Sequence, residues 1–538
     1  MNGKELELER FIAKYEDVIV PLFKAASAAY FDASISGKRE DYEKAGQFQT
    51  EITNVHASKS DFEKLKDFRE STEISDEILN RQLTILYNSF AGYQYDENLR
   101  HEIINDSVKI EECFATFRAE VKGKKVTDNE VEKVLSESTN NNELETYWDA
   151  SKKIGGLVAD DVIALVKKRN KAANQLGYDN YYQMSLELSE QKEEELDKIF
   201  EDLDNLSRDK FAELKIEMDN FLSHKYKVDK TDLMPWHYQD RFFQHAPKIH
   251  KVDLDKYYLD QNIEVITKNY FNGIGLEIDD LLERSDLYEK EGKYQHAYCT
   301  NIDKSGDVRV VCNIKPNHDW MGTMLHEFGH AVYDKYVNDR LPWILREHSH
   351  IFTTEAIAMI FGRFASSPQW IDDMIGIGDD EKNEIADECK KSARLEQFVF
   401  ARWVLVIYNF EKEMYRNPDQ DLNALWWEKV EKFQFLKRPI GRNKADWASK
   451  IHLALYPAYY HNYLLGEMLA SQLYYFISEK VLGKSFKDDL SFAGNKKVGD
   501  YLKMLFFNYG ALYRWDELVN KSTGEDLNPK YYAEQFFH

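Results

Sequence analysis

Asn317 to Val337 reads NHDWMGTMLHEFGHAVYDKYV, and the fold is read outward from this stretch. Asn317 can cap a helix, and apolar residues recur at three- and four-residue spacing beyond Tyr333. One helix is therefore expected from about His318. Within it, His326-Glu327-Phe328-Gly329-His330 sets two imidazoles one turn apart on the same face. Two such rings can meet a single zinc ion at roughly 2.0–2.1 Å each. Glu327 projects beside them, within reach of the proton on a water that zinc acidifies towards a pKa of about 7. The chain has 15 histidines, for which chance supplies HExxH roughly 0.04 times. The competing reading is two histidines satisfied within a helical core.

A catalytic zinc keeps one position open and takes three protein ligands. In the extended motif with a third histidine, that residue would fall at Tyr336 and its glycine at Tyr333, which excludes the pattern. The third ligand is then sought as a carboxylate on a following helix. Glu355, in IFTTEAIAMIFGRF, is the candidate. Thr353 and Thr354 can cap that helix, leaving Glu355 in the first turn of an otherwise apolar segment. A lone carboxylate there needs a partner, and a metal is one; the plainer reading is an acidic residue at a helix start. Asp334, one turn past His330, is a candidate for orienting an imidazole.

Outward from this core, residues 5–225 read as helix after helix. Ser189 to Tyr226 is typical, with Leu, Ile and Phe at helical spacing among charges. The pattern changes between Met234 and Pro316. There KYQHAYCTNI and DVRVVCNI alternate, and DKSG separates them, predicting a hairpin with Asp303 to Gly306 at its tip. Helices resume after Pro316, with breaks near Asn338–Pro342, Ser367–Pro368, Asn417–Pro418 and Lys437–Arg442. Composition agrees: 10 prolines and 24 glycines in 538 residues favour uninterrupted helices, and 43% hydrophobic residues suffice for a large core.

A net charge of −24 argues against a nucleic-acid surface and against docking on anionic lipid. Four cysteines are too few and too scattered for a disulfide scaffold or a Cys-rich metal site. Cys299 and Cys312 could pair across the hairpin. No continuous apolar run has the length of a membrane span, and MNGKELELERF lacks a secretory apolar stretch. A cytoplasmic protein without membrane insertion is expected, or a periplasmic or secreted one if Met1 follows a removed signal.

HEFGH followed by LPWILREHSHIFTTEAIA resembles the angiotensin-converting-enzyme family, peptidyl-dipeptidase A in type, where the glutamate ligand stands in an EAI context. HEFGH is also the form found in the related thimet-type oligopeptidases. Lys450-Ile451-His452 is similar to that family's K-x-H and Tyr460-His461-Asn462-Tyr463 to its Y-x-x-Y. The resemblance implies that His326, His330 and Glu355 bind one Zn2+ per chain, with Glu327 as general base. Tyr463 and His452 would then hydrogen-bond the oxyanion, a task suited to preorganised neutral donors. Lys450 and Tyr460 would grip the substrate's terminal carboxylate, which wants a cation and a hydroxyl, helped by Gln239 or Gln244. His296-Ala297 resembles the family's edge-strand His-Ala, which pairs with the substrate backbone by strand addition. The opening ERFIAKYEDVIVPLFKAASAAYFDASIS is faintly similar to its lid helices.

Three departures stand out. The mammalian family has an arginine at Asn462 and an aspartate at Met359, and the Lys450-to-Tyr463 spacing falls between those of the two related groups. The implied fold is mostly α and two-lobed, with a deep central cleft and one small antiparallel β element before the zinc helix. Residues 1–538 would form one catalytic unit, with lid and cleft-wall helices over about 1–230 and the zinc-binding part over about 231–538. The implied activity is zinc-dependent hydrolysis of oligopeptides by a monomer, releasing C-terminal dipeptides. The alternatives are internal cleavage of the thimet type, or a catalytically silent peptide-binding protein.

Overall fold

Short polar side chains start most of the helices by accepting otherwise unpaired backbone N–H groups. Asn2 does so for Gly3–Ser36, in a capping box with Glu5. Asp76, Asp96, Asn140 and Asn180 do the same for the helices that follow them. Asn317 caps His318–Tyr336 through the N–H of Trp320, where the sequence places that start. The computed structural model describes residues 2–250 and 252–537. Their architecture is mostly α, with two separate two-stranded antiparallel sheets.

The chain divides into two compact units. The first comprises Met1–Gln94, Val252–Cys389 and Leu465–Gln535. In it, Leu8 and Ile12 of the first helix pack with Leu65, Phe68, Leu83 and Phe90, and Phe31 of the same helix packs on Ile302 and Val311. By length and composition this helix could cross a bilayer, the one such helix among the described residues. The hairpin forms as predicted, from β3 (Tyr298–Asn301) and β4 (Val308–Val311), with Cys299 opposite Val310. Its tip holds the left-handed residues Lys304 and Gly306. All four cysteines are free.

The second unit comprises Tyr95–Lys251, Lys390–Leu464 and Phe536–His538. The helices Asn141–Gln175 and Glu193–Tyr226 lie within it. Two of its buried cations, Arg402 and Arg169, are met by polar partners, which offsets the cost of burying charge. Arg402 is fully buried and forms an ion pair with Asp204, donating also to Ser207 Oγ at 2.8 Å. Arg169 donates to Ala454 O at 2.7 Å and to the Tyr415 hydroxyl at 3.1 Å. One element of this unit differs from the all-helical reading of residues 5–225: a hairpin of β1 (Ala119–Val121) and β2 (Lys124–Val126). Its turn, Lys122-Gly123, has φ of 51° and 78°, the paired positive values of a tight hairpin turn. Strands of three residues are too short to carry a readable alternation.

Candidate active site

The HEFGH helix and the helix bearing Glu355 (Ile351–Arg363) lie in the first unit and pack at very close range. A Cβ on Gly329 would sit 2.7 Å from Ala358 Cα, so the contact needs a glycine. The close approach brings His326 Nε2 to 3.7 Å and His330 Nε2 to 3.8 Å from the same Glu355 oxygen, Oε2. All three candidate donor atoms lie within 4.8 Å of one another. These separations are too long for hydrogen bonds but suit three donors placed around one small cation.

Electrostatics favour that use. Burial holds the His326 imidazole down at about 4, and burial with the neighbouring His326 and His348 holds His330 well below its ordinary value. Both rings are thus kept neutral, the form that ligates a metal. His330 Nδ1 lies 2.7 Å from Thr354 Oγ1. With the proton on Nδ1 the ring donates to Thr354 and turns the Nε2 lone pair towards Glu355. Burial and the charge of Glu467 push the Glu355 carboxyl up to about 7, and Glu467 in turn forms an ion pair with Arg363. A buried carboxylate so disfavoured, with two neutral imidazoles facing it, fits a divalent metal such as zinc. Glu327 is buried beside them. Burial, then the charge of Glu355, raises its carboxyl to about 8, while the Cys299 backbone N–H of β3 partly offsets this by hydrogen bonding.

Several positions differ from the sequence reading. His350 caps the Glu355 helix, accepting from Phe352 N, so Glu355 stands in the second turn. Thr353 Oγ1 donates locally to His350 O, while Thr354 Oγ1 pairs with His330, a tertiary partner that takes it from the cap. Thr354 therefore takes the orienting place considered for Asp334, whose carboxyl is pushed up to about 7 by burial and by Glu347. Met359, where the related family has an aspartate, sits against the helix His461–Phe476: a Cβ on Gly466 would lie 3.1 Å from both Met359 Sδ and Glu355 Cβ. His296 and Ala297 precede β3 rather than forming part of it, and His296 is exposed.

The other candidate residues gather in the second unit. Lys450, just ahead of the short helix Ile451–Leu455, donates to Gln244 Oε1 at 2.7 Å. Gln239 Oε1 instead accepts the Lys248 N–H at 3.0 Å, so Gln244 is the glutamine beside the lysine. The Lys450 ammonium lies 5.2 Å from the Tyr460 ring centroid and 5.4 Å from that of Trp403, and burial lowers its pKa to about 8. Trp403 Nε1–H donates to the Tyr460 hydroxyl at 2.9 Å. The Tyr460 ring is 5.0 Å from His452 and 5.3 Å from Tyr463. Tyr460 stands before the helix His461–Phe476 rather than on it. Burial, then the Lys450 charge, keeps His452 neutral at about 4, and its buried Nδ1 has no hydrogen-bond partner among the described residues. Asn462 Oδ1 accepts from Gln191 Nε2 at 2.9 Å, and Gln191 Oε1 pairs with His461 Nε2 at 2.8 Å.

Sequence reasoning passed over Gly329, Gly466 and Trp403, and read Thr354 as a cap where it pairs with His330. The glycine in HEFGH was the available signal, since a glycine inside a strong helix implies a close neighbour. Gly329→Ala is accordingly expected to force the two helices apart. Such overpacking costs typically about 1–3 kcal/mol, read as a lower melting temperature together with weaker metal retention on dialysis.

The helical architecture, the HExxH helix and the carboxylate facing it match the arrangement by which HExxH metallopeptidases hold their metal. Residues 283–537 match the family model for peptidase family M3. The chain is 22% identical over 262 residues to "Thermostable carboxypeptidase 1" of Pyrococcus furiosus, covering 42% of this chain and 49% of that protein. It is 21% identical over 451 residues to "Angiotensin-converting enzyme" of Haematobia irritans exigua, covering 76% of this chain and 72% of that protein. The match to the first spans about half of that relative's length. The resemblance read from the motifs is thus upheld, and the chain is related in sequence to peptidase family M3 and to angiotensin-converting enzyme.

Proposed function

We propose that this protein is a zinc-dependent peptidase that releases dipeptides from the free C-termini of short peptides. The observation that carries the reading is the convergence of His326, His330 and Glu355 with Glu327 beside them. Zinc held by the three donors would supply Lewis acidity, acidifying water and polarising the scissile carbonyl. Glu327 takes the proton of the attacking water and returns it to the departing amine. Burial raises the proton affinity of this carboxyl, which suits it to hold the proton between the two steps.

By the family resemblance, His452, held neutral by burial, and the Tyr463 hydroxyl would donate to the oxyanion. Tyr463 shares the helix His461–Phe476 with Gly466, the residue that packs on Glu355. Lys450, Gln244 and Tyr460 offer a cation, an amide and a hydroxyl to a terminal carboxylate. That trio favours dipeptide release over internal cleavage, and the Pyrococcus relative is by name a carboxypeptidase.

The test is a mass-spectrometric time course on one unstructured decapeptide with a free or an amidated C-terminus. Stepwise loss of two residues from the free form alone is expected. Internal cuts in both forms would replace this reading with that of a thimet-like oligopeptidase.

A further inference from the structure

Among the described residues, the second unit holds a buried lysine with neither a carboxylate nor a hydrogen-bond partner. Lys152, on the helix Asn141–Gln175, is only 5% exposed, yet its ammonium has no hydrogen bond or ion pair among the described residues. What it meets is aromatic: its Nζ lies 3.3 Å from the Phe242 ring centroid and 5.4 Å from that of Trp148. Every charged neighbour is otherwise engaged. Arg241 binds Glu132 at 2.8 Å and Asp128 at 3.3 Å. Arg442 binds Asp446 through two bonds of 2.6 Å and Asp149 at 2.8 Å. Asp240 Oδ1 accepts the backbone N–H groups of Phe242 and Gln244 at 2.7 and 3.0 Å. A cation–π contact supplies attraction but leaves three N–H donors unmet, and burial drives the amine's pKa well below its ordinary value.

Phe242 also links this lysine to the proposed carboxylate grip. Lys450 Nζ lies 5.4 Å from the same ring centroid, so the two ammonium groups flank one half-buried phenylalanine. A ligand held by Lys450, Gln244 and Tyr460 would thus have a second, unpaired cation within one residue's reach. The two centroid distances put the ammonium groups no more than about 8.7 Å apart, a span that the two carboxylates of a C-terminal aspartate or glutamate can bridge with a hydrogen bond at each end.

We propose that Lys152 is a specificity-determining residue that selects oligopeptides ending in an acidic residue: it takes the terminal side-chain carboxylate while Lys450 takes the main-chain one. The inference rests on the reading of Lys450, Gln244 and Tyr460 as the carboxylate grip. Because the lysine is otherwise unsatisfied, a charge-assisted bond gained there is worth more than one formed by an exposed lysine.

The experiment compares kcat/KM for matched decapeptides ending in Glu, Gln or amidated Glu, on wild-type protein, Lys152→Met and Lys152→Arg. Wild type is expected to prefer the free Glu peptide over the Gln peptide about tenfold, the yield of one charge-assisted hydrogen bond. Lys152→Met should bring that ratio close to one through loss on the Glu peptide, while Lys152→Arg keeps most of it. Equal rates for Glu and Gln peptides in wild type would overturn the inference without any variant, as would an unchanged ratio in a folded Lys152→Met protein. Should Lys152→Met fail to fold, the wild-type ratio and Lys152→Arg still decide: loss of the preference in wild type rejects the role, and its presence in both proteins supports it. Cleavage of the amidated peptide as fast as the free one would mean instead that the carboxylate grip itself is misassigned.

Discussion

Glu327→Gln will keep its metal and its fold and lose roughly 10²–10⁴-fold in turnover, the range that one general base contributes. Glutamine has the same shape and can still accept the Cys299 N–H, so β3 keeps its contact with the HEFGH helix. It removes one buried carboxyl, raised to about 8, from beside Glu355, so nothing in the substitution works against folding. What is lost is the ability to take a proton from water and hand it to the leaving amine. Metal content by atomic absorption and peptide turnover, measured on the same sample, separate these effects. Turnover within tenfold of wild type at full metal loading would remove Glu327 from the reaction.

Glu355→Ala will lose most of its zinc at concentrations that saturate the wild type, because two imidazoles remain where three donors stood. The same variant gives a stability readout. A ligand at 1,000 times its Kd stabilises the native state by about 4.1 kcal/mol, so chelation should lower the wild-type melting temperature by several degrees. In Glu355→Ala, chelator should make no difference. The chelated variant should also melt no lower than truncation explains, since it no longer buries a carboxylate that Glu467 repels. Undiminished zinc in the variant would place the third ligand elsewhere.

How much of this was legible in the sequence depends on how local each feature is. The spacing of His326 and His330 is set by the helix itself, so the motif, its cap at Asn317 and its face could be read directly. Glu355 was legible because a carboxylate in IFTTEAIAMIF has no local reason to be there. Thr354 was misread for the opposite reason: a threonine at a helix start has a good local explanation as a cap, and only the packing of the two helices shows that it serves His330. Gln239 and Gln244 could not be separated by composition or spacing. The left-handed residues Gln239 and Phe243 steer the chain there, and the choice falls to Gln244 by its bond to Lys450. The Lys122–Gly123 hairpin was missed because its strands are too short to show a period. Lys152 looked like any lysine on a long amphipathic helix, and its isolation is visible only once its neighbours' partners are known.

The most direct test of the central claim, metal-dependent peptide hydrolysis at the His326–His330–Glu355 cluster, is a zinc add-back titration. The protein is stripped with chelator, dialysed, and assayed on a free decapeptide as zinc is returned. The account predicts no cleavage by the stripped protein and a rise to a plateau at one zinc per chain. Undiminished cleavage by the stripped protein, or no recovery when zinc is returned to protein that is still folded, would contradict it.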